Sequence, residues 1–209
     1  MRRPWPQLLP KVAAFFLILA GWGGGPHNSY DLALVAEAVK LRAHEPLLTT
    51  IPAALTQLGS AYFLLPLSGV VIVLLYFLGR RNSALLIFLT VAGERLLLDG
   101  LKIVIQRPRP ELEAHPVFTH SFSFPSGHAA NTMTVFVAIA LFALPPRFRW
   151  WALPMAILFA ALIAATRPWL GVHWPSDIVG GWMLAALSIS AALWAAERFN
   201  LGDKSRTEA

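Results

Sequence analysis

Three polar clusters interrupt an otherwise apolar chain, and their residue types point to the handling of an anion. The central one is Phe124-Pro125-Ser126-Gly127-His128, set directly against an apolar run that starts at Ala129. Proline and glycine mark a tight turn, and a serine just before a helical pattern is an N-terminal signal. A helix that begins here presents free backbone N–H groups and the positive end of its dipole. His128 stands at that mouth with an imidazole that can carry charge near neutral pH. Lys102 to Pro110 precedes this turn and Thr166 to Asp177 follows it. The expectation is that the three clusters meet in space and hold a phosphate.

In the first cluster Lys102 is followed by Arg107-Pro108-Arg109-Pro110. A residue before proline is biased away from the helical region, so the helix should stop near Gln106. Lys102 then projects from the last turns while Arg109 returns from the loop. A compact ammonium and a planar guanidinium both suit phosphate oxygens. Simple snorkelling of flanking bases is the plainer explanation, but it would place them on the cytoplasmic side. In the third cluster Pro175 fits the first turn of the last helix. Asp177, four residues after His173, can accept a bond from its imidazole. That bond fixes the tautomer and leaves the other ring nitrogen free to attack. A lone histidine at a helix end is usually an interfacial residue. An aspartate four residues on, Arg167 six residues before and a second loop histidine make this one a candidate for chemistry. Two histidines in different loops, with one carboxylate spaced to join them, make a poor divalent site, so neither metal nor cofactor is expected.

The elements that position these residues must lie in a membrane. Of 209 residues 56 % are hydrophobic and 13 % charged, and the mean hydropathy is +0.59. A soluble domain carries about a quarter charged residues. Pro46 to Gly79 contains no charged residue and exceeds the roughly 20 residues needed to cross a bilayer. Clear spans cover about Ser60–Gly79, Ala129–Leu144, Trp150–Thr166 and Ile178–Ala196. Another, Ser83 to Gln106, carries Glu94, Arg95, Asp99 and Lys102. Val12–Gly25 can be a secretory signal, but a retained first span is preferred. Asp31–Arg42 has helical composition and reads as a connecting helix. The fold expected is an all-α integral membrane bundle of about six transmembrane helices. Residues 1–209 read as one membrane domain, with its motif-bearing core at about 55–197 and a cytoplasmic tail at 198–209. Trp150, Trp151, Trp169 and Trp174 fall near span ends, where indoles favour the interface.

Orientation follows from the bases. With the N-terminus inside, the cytoplasmic segments hold Arg2, Arg3, Lys11, Arg80, Arg81, Arg147, Arg149, Arg198, Lys204 and Arg206. The other side holds Lys40 and Arg42, and otherwise only Lys102, Arg107, Arg109 and Arg167 from the clusters. All three clusters should therefore open outward. The net charge of +6 is spread in pairs between apolar runs and gives no nucleic-acid signature. The chain lacks cysteine, which excludes disulfides and thiolate metal sites.

The clusters resemble the signature of the phosphatidic acid phosphatase type 2 superfamily, which also includes vanadium haloperoxidases. Lysine, six residues and arginine-proline are matched by Lys102, Arg109 and Pro110. Pro-Ser-Gly-His is matched by Pro125, Ser126, Gly127 and His128. In the third motif Arg167, His173 and Asp177 match, while Thr166 stands where serine is usual. The similarity covers roughly residues 55–190. It implies that His173 is a nucleophile forming a phosphohistidine, that Asp177 orients it, and that His128 protonates the leaving oxygen. Lys102, Arg109, Arg167, Ser126 and the Gly127 amide would hold phosphate oxygens.

Glu94, Arg95 and Asp99 should face the bundle interior, because unpaired charges at mid-membrane cost several kcal/mol. Arg95, Asp99 and Lys102 can form a ladder on one helix face. That ladder is either a support that aims Lys102 or a purely structural pair. The resulting expectation is an inner-membrane, multi-pass lipid phosphatase acting on a lipid phosphomonoester or pyrophosphate at the external or periplasmic face. Its partners are then a lipid phosphate and the membrane, with oligomeric state open. A phosphotransferase using the same site and a transporter or lipid-binding protein are the alternatives. A transporter would show two related halves with broken helices, and neither is visible. A haloperoxidase is disfavoured because lipid-facing spans do not suit small soluble substrates.

Overall fold

The computed structural model describes residues 5–119 and 121–201, so Arg2, Arg3, Lys204, Arg206 and most of the polar tail lie outside the described residues. Among the described residues every regular element is helical. Helix α1 is Trp5–Gly23, followed by a turn in which Gly25 has φ +101°, a value glycine adopts without strain. α2 is Ser29–Arg42, started by Asn28, whose side chain accepts from the amides of Tyr30 and Asp31. α3 is Leu47–Thr56, and a short 3-10 turn at Gln57–Gly59 joins it to α4, Ala61–Phe77. α5 is Arg81–Ile105 and ends where Gln106 turns left-handed, its N–H bonded to the carbonyl of Lys102. α6 is Gly127–Ala138, closing in a π-helical turn at Ile139–Ala143. α7 is Arg149–Trp169 and α8 is Pro175–Arg198.

The protein is an all-α membrane bundle, and its surface is inverted accordingly. Val70, Phe77, Leu96, Ile103 and Val104 point outward, while Thr132, Thr134, Asn131 and Ser188 lie inside. Segments Leu47–Phe77, Pro146–Trp169 and Pro175–Arg198 are long and apolar enough to cross a membrane, and Leu8–Gly23 and Gly127–Ala143 are shorter apolar helices. α5 has the length but carries charge.

Two of the expected boundaries shift. The apolar chain ahead of the expected Ser60–Gly79 span forms a helix of its own, α3. α7 continues through Arg167 and Pro168, so Arg167 projects from a helix and not from a loop. Pro168 falls in the last turn, and the helix closes past it with the Leu170 amide bonded to the carbonyl of Thr166 at 2.9 Å.

α6 is the centre of the bundle, with residues buried all round its circumference and α5, α7 and α8 packed against it. α8 comes very close at Gly180 and Gly181. A Cβ at Gly181 would stand 2.7 Å from the carbonyl oxygen of Ser126 and 3.0 Å from the amide of Ala130. At Gly180 it would run into the Phe124 ring. Two adjacent glycines thus let the start of α8 lie on the start of α6. Further along, Leu64, Ile87, Val135 and Phe142 fill an apolar core towards the other end.

The expectation that Glu94, Arg95 and Asp99 all face inward is corrected. Glu94 is buried beside a cavity of about 200 Å³ that Thr90 and Ser188 also line. Arg95 and Asp99 pair at 2.9 Å, but their side chains are 38 % and 49 % exposed. The helical period explains the split. Val91, Glu94, Leu98 and Lys102 form the buried stripe of α5, and Arg95 and Asp99 fall beside it. Trp174 is also no interfacial indole: it is buried and donates from Nε1 to Pro108 O at 2.9 Å.

Candidate active site

The three clusters come together at one end of the bundle. Each joins two elements, so the packing of α5, α6, α7 and α8 fixes their relative positions. Lys102, in the last turn of α5, donates to the carbonyl of Phe122 at 2.5 Å. Arg109 donates from Nε to Ser121 O at 2.8 Å and from Nη1 to Val172 O at 2.6 Å. The first cluster therefore clamps the segment that enters the second and reaches across to the third. The amide of Ser126 closes the ring by donating to Asp177 O at 3.0 Å.

His173 lies on the turn between α7 and α8 and is almost fully buried. Its Nδ1 is 3.1 Å from Oδ2 of Asp177 and its Nε2 is 3.0 Å from Nη1 of Arg109. A guanidinium can only donate, so Nε2 is the acceptor and the proton sits on Nδ1. Burial, then the charges of Arg109, Arg167 and Lys102, hold the His173 imidazole well below its ordinary pKa. The ring is neutral, with a fixed tautomer and an available lone pair. Arg109 is pushed down to about 10 by burial, which Asp177 partly opposes, and it stays charged.

Asp177 sits in the first turn of α8 and is completely buried. Oδ2 accepts from the Trp174 amide at 2.9 Å, from Ser123 Oγ and from His173. Oδ1 accepts from Arg107 Nη1 at 2.7 Å.

At α6, Ser126 is the N-cap, its Oγ accepting from the Ala129 amide at 3.4 Å while its carbonyl takes the Ala130 amide. The amides of Gly127 and His128 are left without an acceptor among the described residues, and they lie at the positive end of the helix. His128 lies within the field of Arg167, Arg109 and Lys102 and beside Gly59, where a Cβ would stand 3.1 Å from its ring. Arg167 is buried, donates from Nη1 to Thr56 Oγ1 at 2.9 Å, and leaves Nε without a partner. A buried guanidinium with unused donors, beside unused helix amides, defines a place for an anion.

Of the sequence-predicted residues, Lys102, Arg109, Ser126, Gly127, His128, Arg167, His173 and Asp177 all fall in this end region. Arg95 and Asp99 pair with each other and make no bond to Lys102, which donates to Phe122, but both lie close enough to act on its charge. Sequence reasoning passed over Arg107, Ser123 and Thr56. Arg107 was visible as an extra base in the Arg-Pro-Arg-Pro run. Ser123 and Thr56 are ordinary hydroxyl residues whose partners lie 54 and 111 positions away, and no local pattern marks them.

An all-helical membrane bundle that gathers two histidines with Lys102, Arg109 and Arg167 at one end is built to handle a phosphate group. The PAP2 superfamily pattern matches residues 82–201, and the chain belongs to that superfamily. It is 36 % identical over 179 residues to phosphatidylglycerophosphatase B of Bacillus subtilis, covering 83 % of this chain and 87 % of that one. An undecaprenyl-diphosphatase of Sulfolobus acidocaldarius is 28 % identical over 137 residues, 63 % of each chain. The crystal structure of a transmembrane PAP2 type phosphatidylglycerolphosphate phosphatase from Bacillus subtilis superposes with a TM-score of 0.80 at 33 % identity, over 90 % of this chain and 96 % of that one. The protein is a membrane phosphatase, a hydrolase of phosphate esters.

Proposed function

We propose that this enzyme hydrolyses a lipid phosphomonoester or diphosphate through a phosphohistidine, at the outward-facing end of the bundle. The observation that carries the reading is the buried Asp177–His173 pair with Nε2 directed at Arg109. Phosphate oxygens are stronger acceptors for a guanidinium than imidazole is. Arg109 therefore turns to the incoming phosphate and uncovers Nε2. The Nε2 lone pair forms a bond to phosphorus while the bond to the lipid oxygen breaks, and His128 gives that oxygen its proton. Lys102, Arg109, Arg167, Ser126 and the Gly127 amide stabilise the charge on the equatorial oxygens, the main contribution in phosphoryl transfer. Water then attacks phosphorus, His128 takes its proton, the P–N bond breaks, and His173 returns to its neutral form.

The outward placement rests on the distribution of bases along the chain, which puts the clusters opposite the positive flanks. The similarity over most of the chain to a phosphatidylglycerophosphatase makes phosphatidylglycerophosphate the first substrate to test, with undecaprenyl diphosphate beside it. In this reading the charge is met by the fixed cations Lys102, Arg109 and Arg167, all of which act on His173.

The test separates the two histidines. General acid catalysis contributes about 10²–10⁴-fold and matters most when the leaving group is a poor one. His128→Ala should lose far more turnover on a lipid phosphomonoester than on an activated aryl phosphate. His173→Ala should lose both and form no acid-labile, alkali-stable phosphoenzyme. Equal losses of both variants on both substrates would refute the division of roles.

A further inference from the structure

The anion site leaves Arg107 without a task, yet its terminal nitrogens make four hydrogen bonds. Nη1 donates to Asp177 Oδ1 at 2.7 Å and to Ser176 Oγ at 2.9 Å. Nη2 donates to the carbonyls of Ala20 at 2.6 Å and Gly21 at 2.9 Å, in the last turns of α1. The guanidinium carbon lies 4.4 Å from the centre of the Phe124 ring, which covers one face. The side chain is buried and its terminal nitrogens are engaged, so it has nothing to offer a phosphate oxygen. Its aim is at the carboxylate, on the oxygen opposite the one that carries His173.

We propose that Arg107 is a positioning residue for phosphoryl transfer, which holds Asp177 square to His173 and takes its own bearing from the end of α1. This rests on the reading of His173 as the nucleophile. Oδ2 of Asp177 receives Ser123, the Trp174 amide and His173, and three donors on one oxygen do not by themselves fix the plane of the carboxylate. The short bond from Arg107 to Oδ1 supplies the second point that does. Without it Oδ1 is a buried, uncompensated acceptor, and the carboxylate turns to share its other donors at the expense of His173. The bearing itself is fixed from two sides. α1 gives the two carbonyls. α2 gives Asp31, which accepts from the Ser176 amide at 2.9 Å, from Ser176 Oγ at 2.5 Å and from the Gly25 amide at 2.6 Å. Ser176 Oγ is in turn the acceptor for Arg107. Both helices precede residues 82–201, the part that matches the family pattern, so the N-terminal hairpin completes the catalytic end of a core it lies outside.

The experiment uses the full chain in detergent, an activated aryl phosphate, and inorganic phosphate as a competitive inhibitor. Arg107→Gln should lower kcat by about 10²–10³-fold, short of the roughly 10⁴-fold lost when the aspartate partner of a catalytic imidazole is itself replaced, with KM and the phosphate inhibition constant unchanged. Arg107→Lys restores a charge beside Asp177 and should recover part of that loss. Ser176→Ala removes the two bonds of one hydroxyl, from Arg107 and to Asp31, and leaves the Arg107 side chain in place. It should lower kcat about tenfold, again without weakening phosphate. Normal kcat in Arg107→Gln, or in Ser176→Ala should the first variant not fold, overturns the proposal. So does a loss of kcat and phosphate affinity in step, which would make Arg107 part of the anion cage. His173→Gln is the control: turnover in that variant overturns the nucleophile reading, whereas a dead His173→Gln with a normal Arg107→Gln overturns only the positioning role.

Discussion

At the C-terminal end of α6 the guanidinium of Arg80 reaches the carbonyls of Ala143 at 2.6 Å and Phe142 at 3.0 Å. At the N-terminal end the amides of Gly127 and His128 have no acceptor among the described residues. Every helix leaves about four N–H and four C=O groups unsatisfied at its ends, so both ends of α6 begin with the same deficit. One end is sealed by a charge of the complementary sign. The other gathers Lys102, Arg109 and Arg167 around a helix end that is already positive, an arrangement that only an anion completes. Structure is built where the charges cancel, and function where they are left uncancelled.

The sharpest way to break this comparison is to neutralise the uncancelled end. Arg167 is buried with Nε unpartnered, so it costs the unliganded protein free energy. Arg167→Met should lower kcat/KM by about 10²–10³-fold, the usual loss for one donor aimed at transition-state charge. The same variant should unfold at an equal or higher temperature in detergent. A clear fall in thermal stability would show that Arg167 serves the fold, and the contrast between the two ends would fail.

At the sealed end the effects should reverse. Arg80→Met strips two carbonyls of their donor and should destabilise the protein by about 1–3 kcal/mol. Turnover at low temperature should be unaffected. A large fall in kcat with unchanged stability would mean that the sealed end also feeds the site.

The same contrast explains what could be read from the sequence. Lys102, Arg109, Ser126, His128, Arg167, His173 and Asp177 are polar residues in short clusters between apolar runs, where charge is too costly to occur without a task. The spans were legible for the converse reason, though α7 runs further than expected because Pro168 sits close enough to its end to be tolerated. What escaped notice is what only tertiary packing creates. Thr56 meets Arg167 because α3 lies against α7, and Ser123 meets Asp177 because two glycines let α8 approach α6. The inward expectation for Arg95 and Asp99 failed because it treated charge alone as decisive. Neighbouring residues on a helix point about 100° apart, and beyond Val91 the buried stripe narrows to Glu94, Leu98 and Lys102, which leaves Arg95 and Asp99 at its edge.

The smallest predicted effect is a displacement in pH, and it probes the uncancelled field itself. His173 is buried, and Arg109, Arg167 and Lys102 all oppose its protonation, with Arg109 the largest charge contribution. Asp177 faces Nδ1 but is already paired with Arg107, and Ser123 is neutral. In the proposed mechanism attack requires the neutral ring, and a lowered pKa preserves that form to lower pH. The acid limb of kcat/KM, which reports the free enzyme, should therefore lie below pH 6.5 once the ionisation of the substrate has been divided out. Arg109→Gln should lower the plateau, since the proposed phosphate ligand is lost. It should also move the limb upward, because removing a positive neighbour lets the ring accept a proton more readily. Burial remains in the variant, so the limb should stay below its position for an exposed histidine. A wild-type limb at or above pH 6.5, or a limb that moves downward in Arg109→Gln, would mean that the cations around His173 do not set its protonation.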